Sequence, residues 1–184
     1  MLDERELIGK VLAGSLGAFE ALIRRYERLV YAVVQRMVYA EADVEDISQE
    51  VFIKVHRHLP RFRFQSKLST WIAQIAYTTA LNHLKRRRQD RQQVGLESAA
   101  QLAVLHEPPA WETQDLHAHV HRLIGELPVP YRTVLTLYHL EEFSYEEIGA
   151  VTGMPAGTVK SYLFRARKLL KAKLEPFINP ESHA

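Results

Sequence analysis

Lys160, Ser161, Phe164, Arg165 and Lys168 lie within the acid-free stretch "GMPAGTVKSYLFRARKLL", residues 153–170. At about 100° per residue, Val159, Leu163, Ala166 and Leu170 fall on one side of a helix. Gly157, Ser161, Phe164, Arg165 and Lys168 fall on the other, flanked by Lys160 and Lys171. Such a face suits DNA. Arg pairs bidentately with guanine, Lys reaches guanine or phosphate, Ser bonds either, and Phe can touch a thymine methyl. The plainer reading is a solvated basic face. Phe164 argues against it, because an aromatic ring among bases gains nothing on an ordinary surface helix.

A second cluster occupies "EADVEDISQEVFIKVHRHL", residues 41–59, whose first ten residues hold five acids and no base. Asp43 is expected as the N-cap, with Asp46 at the capping-box position, and carboxylates there suit the helix dipole. Val44, Ile47, Val51 and Val55 make the buried stripe. Asp46, Gln49, Glu50 and Ile53 lie away from it as a small docking patch. The acids have no His or metal-ligand partner at helical spacing, so catalysis is a poor reading.

The third cluster, "FRFQSKLSTWIAQIAYTTALNHLKRRRQD" (62–90), interleaves Phe62, Phe64, Trp71 and Tyr77 with Lys67 and Lys85 to Arg88. Aromatic platforms beside a basic track suit unstacked single-stranded bases. The competing reading makes the aromatics core residues and "KRRR" a helix C-terminus favoured by the dipole.

The elements that must position these clusters are helices; no period-two strand run is present. Helical patterns cover residues 18–39, 43–59 and 69–87. A polar segment, "RQDRQQVGLESAAQLAVLHEPPAWETQD", then reads as a linker with a short helix around Ala99 to Leu105. "LHAHVHRLIGEL" and "PYRTVLTLYHLEE" resume the pattern, the second opened by Pro130. "SYEE" (144–147) is a capping box, Gly153 suits a left-handed helix end, and Pro155 can open the basic helix. A capped helix, a turn and a second helix make a helix-turn-helix candidate. The expectation is an all-α chain: two small helical domains, 1–90 and 114–184, joined by a flexible linker, 91–113.

Bulk properties narrow the class. The 184 residues contain no cysteine, so disulfides and thiolate metal sites are excluded. The N-terminus is acidic, without the basic start of a signal peptide, and no apolar run reaches bilayer length; a cytoplasmic protein is expected. Net charge is only +2, yet residues 1–88 carry +5 and residues 155–174 hold six bases and no acid. Counterion release depends on such local faces, which averaging hides.

With these motifs in order, the chain resembles the extracytoplasmic-function (ECF) sigma factors, the compact two-domain group of the bacterial sigma-seventy family. The resemblance covers roughly residues 15–90 and 114–175. "DVEDISQEVFIKVHRHLPRF" is similar to the family's region two segment that docks on RNA polymerase. "FQSKLSTWIAQIAYTTALNHLKRRR" is similar to its segment for opening and reading the minus-ten element. "LPVPYRTVLTLYHLEEFSYEEIGAVTGMPAGTVKSYLFRARKLL" is similar to region four, which reads the minus-thirty-five element.

The resemblance implies a transcription initiation factor, not an enzyme, with no metal or other cofactor. It implies contacts to the β′ clamp helices and the β flap of core polymerase, to promoter DNA, and to an anti-sigma factor, often membrane-anchored. Asp46, Gln49, Glu50 and Ile53 fall where the family meets polymerase. Phe62, Phe64, Ser66, Lys67, Trp71, Tyr77, Lys85 and Arg86 fall on its minus-ten segment. Thr158, Lys160, Ser161, Phe164, Arg165 and Lys168 fall on its recognition helix.

There are departures. Tyr162 stands where Arg is common, at the edge of the core face; Thr78 replaces a common Asn, and Asn82 a common Asp. The alternative class is a stand-alone helix-turn-helix regulator, which would bind duplex operator tightly without polymerase. A metal-responsive role for His117, His119 and His121 is weaker, since His119 points away from the other two and no carboxylates accompany them.

Overall fold

In the computed structural model, residues 3–38, 41–93 and 116–178 are described, and every regular element among them is a helix. The first group comprises α1 (Glu4–Leu12), α2 (Leu16–Met37), α3 (Glu41–His58) and α4 (Leu68–Gln93), with a 3-10 turn at Leu59–Arg61. The second comprises α5 (Leu116–Gly125), α6 (Val129–His139), α7 (Tyr145–Thr152) and α8 (Ala156–Ile178). The short helix expected around 99–105 lies outside the described residues, as does most of the linker.

In α2, Leu22, Val30, Val33, Val34 and Met37 are buried, with Phe19 and Ile23 at the margin of the stripe. Ser15 opens the helix by accepting the Ala18 N–H at 3.3 Å. Val44, Ile47, Val51 and Val55 of α3 are equally buried, and α2, α3 and α4 pack against one another. α4 is the hub. Its Ala73, Ala76 and Ala80 are fully buried, and such small side chains let neighbouring helices approach closely. α2, α3 and α7 all pack on it.

Two local expectations are corrected, and one helix is added to those expected. Asp43 is not the N-cap of α3: the helix begins at Glu41, and Asp43 accepts from Arg87 Nη1 of α4 at 2.6 Å. The long-range ion pair outcompetes the local cap. "KRRR" is not a helix C-terminus, because α4 runs on to Gln93. And α1, with no strong local signal, forms by docking: Leu7, Ile8 and Val11 are buried, and Tyr26 Oη donates to Glu4 Oε1 at 2.6 Å. A helix this short is marginal alone in water, so tertiary burial decides it. Burial first, and then the Glu4 carboxylate, push the Tyr26 phenol far above its ordinary value.

The second group closes over Val134, Leu137, Ile148, Val151, Val159, Leu163 and Ala166, all buried. The two groups also meet: α6 packs on α2 and α7 on α4, so their buried apolar residues form one continuous cluster. No helix among the described residues is long and apolar enough to cross a membrane.

Candidate nucleic-acid interface

The basic helix is aimed by the turn before it. Ser144 Oγ accepts the Glu147 N–H at 3.1 Å, and Glu147 Oε2 accepts the Ser144 N–H at 2.8 Å, completing the capping box of α7. Gly153 ends α7 with φ +77°, the left-handed region that favours glycine. Gly149 has a different task. A Cβ there would lie 2.7 Å from the Met154 carbonyl oxygen, so the turn folds back onto α7 at a separation only glycine permits. Thr152 locks the same corner, donating to Ile148 O at 2.7 Å and accepting the Met154 N–H at 3.3 Å.

α8 leaves this corner with Val159, Leu163 and Ala166 buried. Lys160, Ser161, Arg165 and Lys168 are exposed, Phe164 is 69% exposed, and Thr158 is half-buried at the start of the helix. Among the described residues, Lys160, Arg165 and Lys168 make no ion pair, so their charges face solvent. Ser161 Oγ donates to Gly157 O at 3.0 Å and keeps its lone pairs available. Tyr162 is half-buried against the Tyr131 ring, with centroids 5.2 Å apart. Arg167 stays exposed but leans onto α6: its guanidinium lies 5.2 Å from the Tyr138 ring centroid and donates to His139 Nε2. Burial and this cation lower the His139 pKa. The outer face therefore carries three free cations around one exposed aromatic ring.

The second face surrounds the loop before α4. Phe62 packs against both Phe64 and Trp71 in tilted contacts, with ring centroids 4.9 Å and 5.2 Å away. Phe62 and Trp71 are half-buried against the core, while Phe64 is 39% exposed, has φ +56°, and lies under the Arg5 guanidinium at 4.7 Å. A non-glycine residue at positive φ is costly, and its neighbours here hold it. Ser66 and Lys67 are exposed beside it; Lys67 Nζ lies 2.9 Å from Glu147 Oε1. Tyr77 is half-buried, and burial raises its phenol. Lys85 and Arg86 are exposed further along α4.

Between α3 and α4 the structure adds a groove of about 230 Å³ lined by Lys54, His58, Gln74, Ile75, Thr78 and Thr79. Its lining mixes a cation with amide, hydroxyl and apolar groups. Lys54 donates to Thr79 Oγ1 at 3.2 Å and pairs with Glu50 at 2.7 Å. Sequence reasoning singled out Thr78 here only as a departure. The i, i+4 spacing of Gln74 and Thr78 on α4, and of Lys54 and His58 on α3, is the signal that could have found the rest.

On α3, Asp46, Gln49, Glu50 and Ile53 share one stripe; the first three are exposed and Ile53 is 59% exposed. Asp43 does not join them, being drawn toward α4 by Arg87 and His83. His119 and His121 face guanidiniums, His121 Nδ1 lying 2.7 Å from Arg36 Nη2 and His119 Nδ1 3.0 Å from Arg122 Nη2.

Comparison with known proteins gives these faces a context. Residues 22–90 match the family model described as Sigma-70 region 2, and residues 117–170 match Sigma-70, region 4. The chain is 36% identical to the RNA polymerase sigma-H factor of Pseudomonas aeruginosa over 185 residues, covering 96% of each. It is 37% identical to the ECF RNA polymerase sigma-E factor of Escherichia coli over 186 residues, covering 96% of this chain and 97% of the relative. In fold it is similar to CnrH, solved in complex with the cytosolic domain of CnrY, with TM-score 0.66, 23% identity, and 94% and 97% of the two chains covered. It is likewise similar to the sigma factor RpoE solved with the anti-sigma factor NepR from Bartonella quintana, with TM-score 0.70, 23% identity, and 85% and 96% covered.

Proposed function

Because the chain belongs to the ECF sigma factors of the sigma-70 family, promoter-directing subunits of RNA polymerase, we propose a division of labour among its three faces. The stripe Asp46, Gln49, Glu50 and Ile53 docks on core polymerase. Its acids steer encounter with a basic partner, and Ile53 supplies apolar area at the centre of the patch. The outer face of α8, residues Thr158, Lys160, Ser161, Phe164, Arg165 and Lys168, enters the major groove of the minus-thirty-five element. The loop and helix carrying Phe62, Phe64, Ser66, Lys67, Trp71, Tyr77, Lys85 and Arg86 take the melted minus-ten strand, with the Lys54–Thr79 groove beside them. Residues 1–90 and 114–184 act as separate readers joined through 91–113.

The observation that carries this reading is the outer face of α8, where an exposed Phe164 sits among three free cations on the second helix of a tightly capped helix-turn-helix. Energetics explain the need for polymerase. Unstacking and flipping bases costs roughly a few kcal/mol, more than one small basic face supplies against salt. Free protein therefore binds promoter weakly. The cytoplasm, where polymerase and promoter are, is the compartment this requires. A partner that masks these faces, an anti-sigma factor, fits the same surfaces. The test is reconstituted transcription: the protein added to core polymerase should yield promoter-specific initiation, and tight operator binding without polymerase would favour a stand-alone regulator.

A further inference from the structure

The loop that carries Phe64 is short of backbone support. Among the described residues, the backbone of residues 63–66 makes no hydrogen bond. Yet Phe64 holds φ +56°, a region that a bulky residue enters only when its surroundings impose it. What imposes it here is contact with the ring. Phe62 packs on the ring from the core side, and the Arg5 guanidinium lies over it, 4.7 Å from the centroid. A guanidinium above an aromatic face is attracted by the ring's quadrupole.

Arg5 is itself held in place. It follows Glu4, which accepts from Tyr26 Oη at 2.6 Å, in the first turn of α1. Leu7, Ile8 and Val11 bury the inner face of the same helix. At its other end the Ala13 N–H donates to Gly9 O and the Ser15 N–H to Lys10 O, both at 3.0 Å, closing the corner into α2. α1 also packs on the 3-10 turn Leu59–Arg61, which runs directly into Phe62. The helix is thus tied down at both ends, and one side chain reaches from it to the loop. Arg5 is exposed and, among the described residues, makes no ion pair, so its charge is directed at the Phe64 ring.

Resting on the sigma-factor function above, we propose that Arg5 is a positioning residue for the melted minus-ten strand. It clamps the Phe64 ring and so keeps the loop 62–67 in the shape that receives single-stranded DNA, without touching the DNA itself. A residue at positive φ turns the chain sharply, so the directions in which Ser66 and Lys67 leave the loop follow from the conformation of Phe64. A loop already set in its bound shape loses less freedom on binding. Without Arg5, Phe64 relaxes toward ordinary backbone in part of the population, and the apparent affinity falls by the fraction that has relaxed.

The test uses the full-length protein bound to core polymerase, at a promoter on which the wild type initiates. The probe is that promoter's DNA with non-complementary strands across the minus-ten element, so that melting is already done. Arg5→Ala should weaken binding of the probe about two- to fivefold, the range of an exposed cation–π contact. Arg5→Lys keeps a cation over the ring and should lose less than about twofold. In a Phe64→Leu background, Arg5→Ala should cause no further loss, because the ring through which it acts is gone. The slope of log affinity against log salt should stay as in wild type, since no phosphate contact is removed.

An Arg5→Ala protein that binds the probe as tightly as wild type would overturn the proposal. So would an equal loss in the wild-type and Phe64→Leu backgrounds, or a salt slope moved toward zero by about 1, either of which would make Arg5 a direct DNA contact. A thermal midpoint lowered by more than about 4 °C in Arg5→Ala would also overturn it, because α1 would then be leaving the bundle. These outcomes remove the role of Arg5 and leave the sigma-factor function standing. A wild-type protein that initiates at no promoter with core polymerase removes that function, and the role of Arg5 with it.

Discussion

Replacing Gly149 by Ala tests whether the corner of the helix-turn-helix is as tight as it looks. The new methyl would sit 2.7 Å from the Met154 carbonyl oxygen, a backbone atom that cannot rotate away. Two effects oppose each other. Gly to Ala inside a helix ordinarily stabilises by about 0.5–1 kcal/mol. Forcing a methyl against packed backbone costs about 1–3 kcal/mol. The clash should win, leaving a net loss of up to about 2.5 kcal/mol. For a chain of this length each kcal/mol moves the midpoint by about 2–4 °C, so thermal unfolding should shift down by up to about 10 °C. The same displacement swings α8 relative to α7, so binding to a minus-thirty-five duplex in the presence of polymerase should fall as well. A variant that melts at or above the wild-type temperature and keeps duplex affinity would refute the reasoning, because propensity would then outweigh the contact.

Further outcomes follow from the other faces. Lys168→Ala should shift the slope of log affinity against log salt toward zero by about 1, as one phosphate contact is lost, whereas Phe164→Ala should weaken binding and leave the slope unchanged; titrations of promoter binding at several salt concentrations separate the two. Ile53→Arg should abolish capture by core polymerase in pull-down while changing stability by less than about 0.5 kcal/mol, since Ile53 is exposed and away from the core. The Glu147 carboxyl is held below its ordinary range, first by the Ser144 N–H and then by Lys67. Its stabilising contribution is therefore present above the unfolded-state pKa and lost as pH falls through the folded one; acid titrations of unfolding free energy should show a shallower acid limb in Glu147→Gln.

Much of the local structure was legible because helical periodicity and caps are local. Val44, Ile47, Val51 and Val55 could be placed inside α3 by spacing alone, and Ser144, Glu147 and Gly153 announced the turn by residue type. The outer face of α8 could be read for the same reason: rotation about an axis needs only the order of side chains. Where local rules competed with distant partners, the sequence misled. Asp43 looked like a cap until Arg87 claimed it, and the basic run of α4 looked like a helix end until the helix continued past it.

The sequence by itself determined the class of element, the order of the two helical groups and the outer faces of α3 and α8, because these depend on neighbours within a turn or two. It also determined that a helix would end at Gly153. The tertiary structure alone decided where buried polarity goes. Nothing local distinguishes Arg132 from a surface arginine; only the meeting of α6 with the end of α2 buries it among carbonyls. In the same way Gly149 is an ordinary helical glycine until the chain folds back on it, and Glu147 is an ordinary cap until α4 brings Lys67 alongside. Contacts between residues far apart in the chain are set by how whole helices pack, and no short window of sequence contains that information.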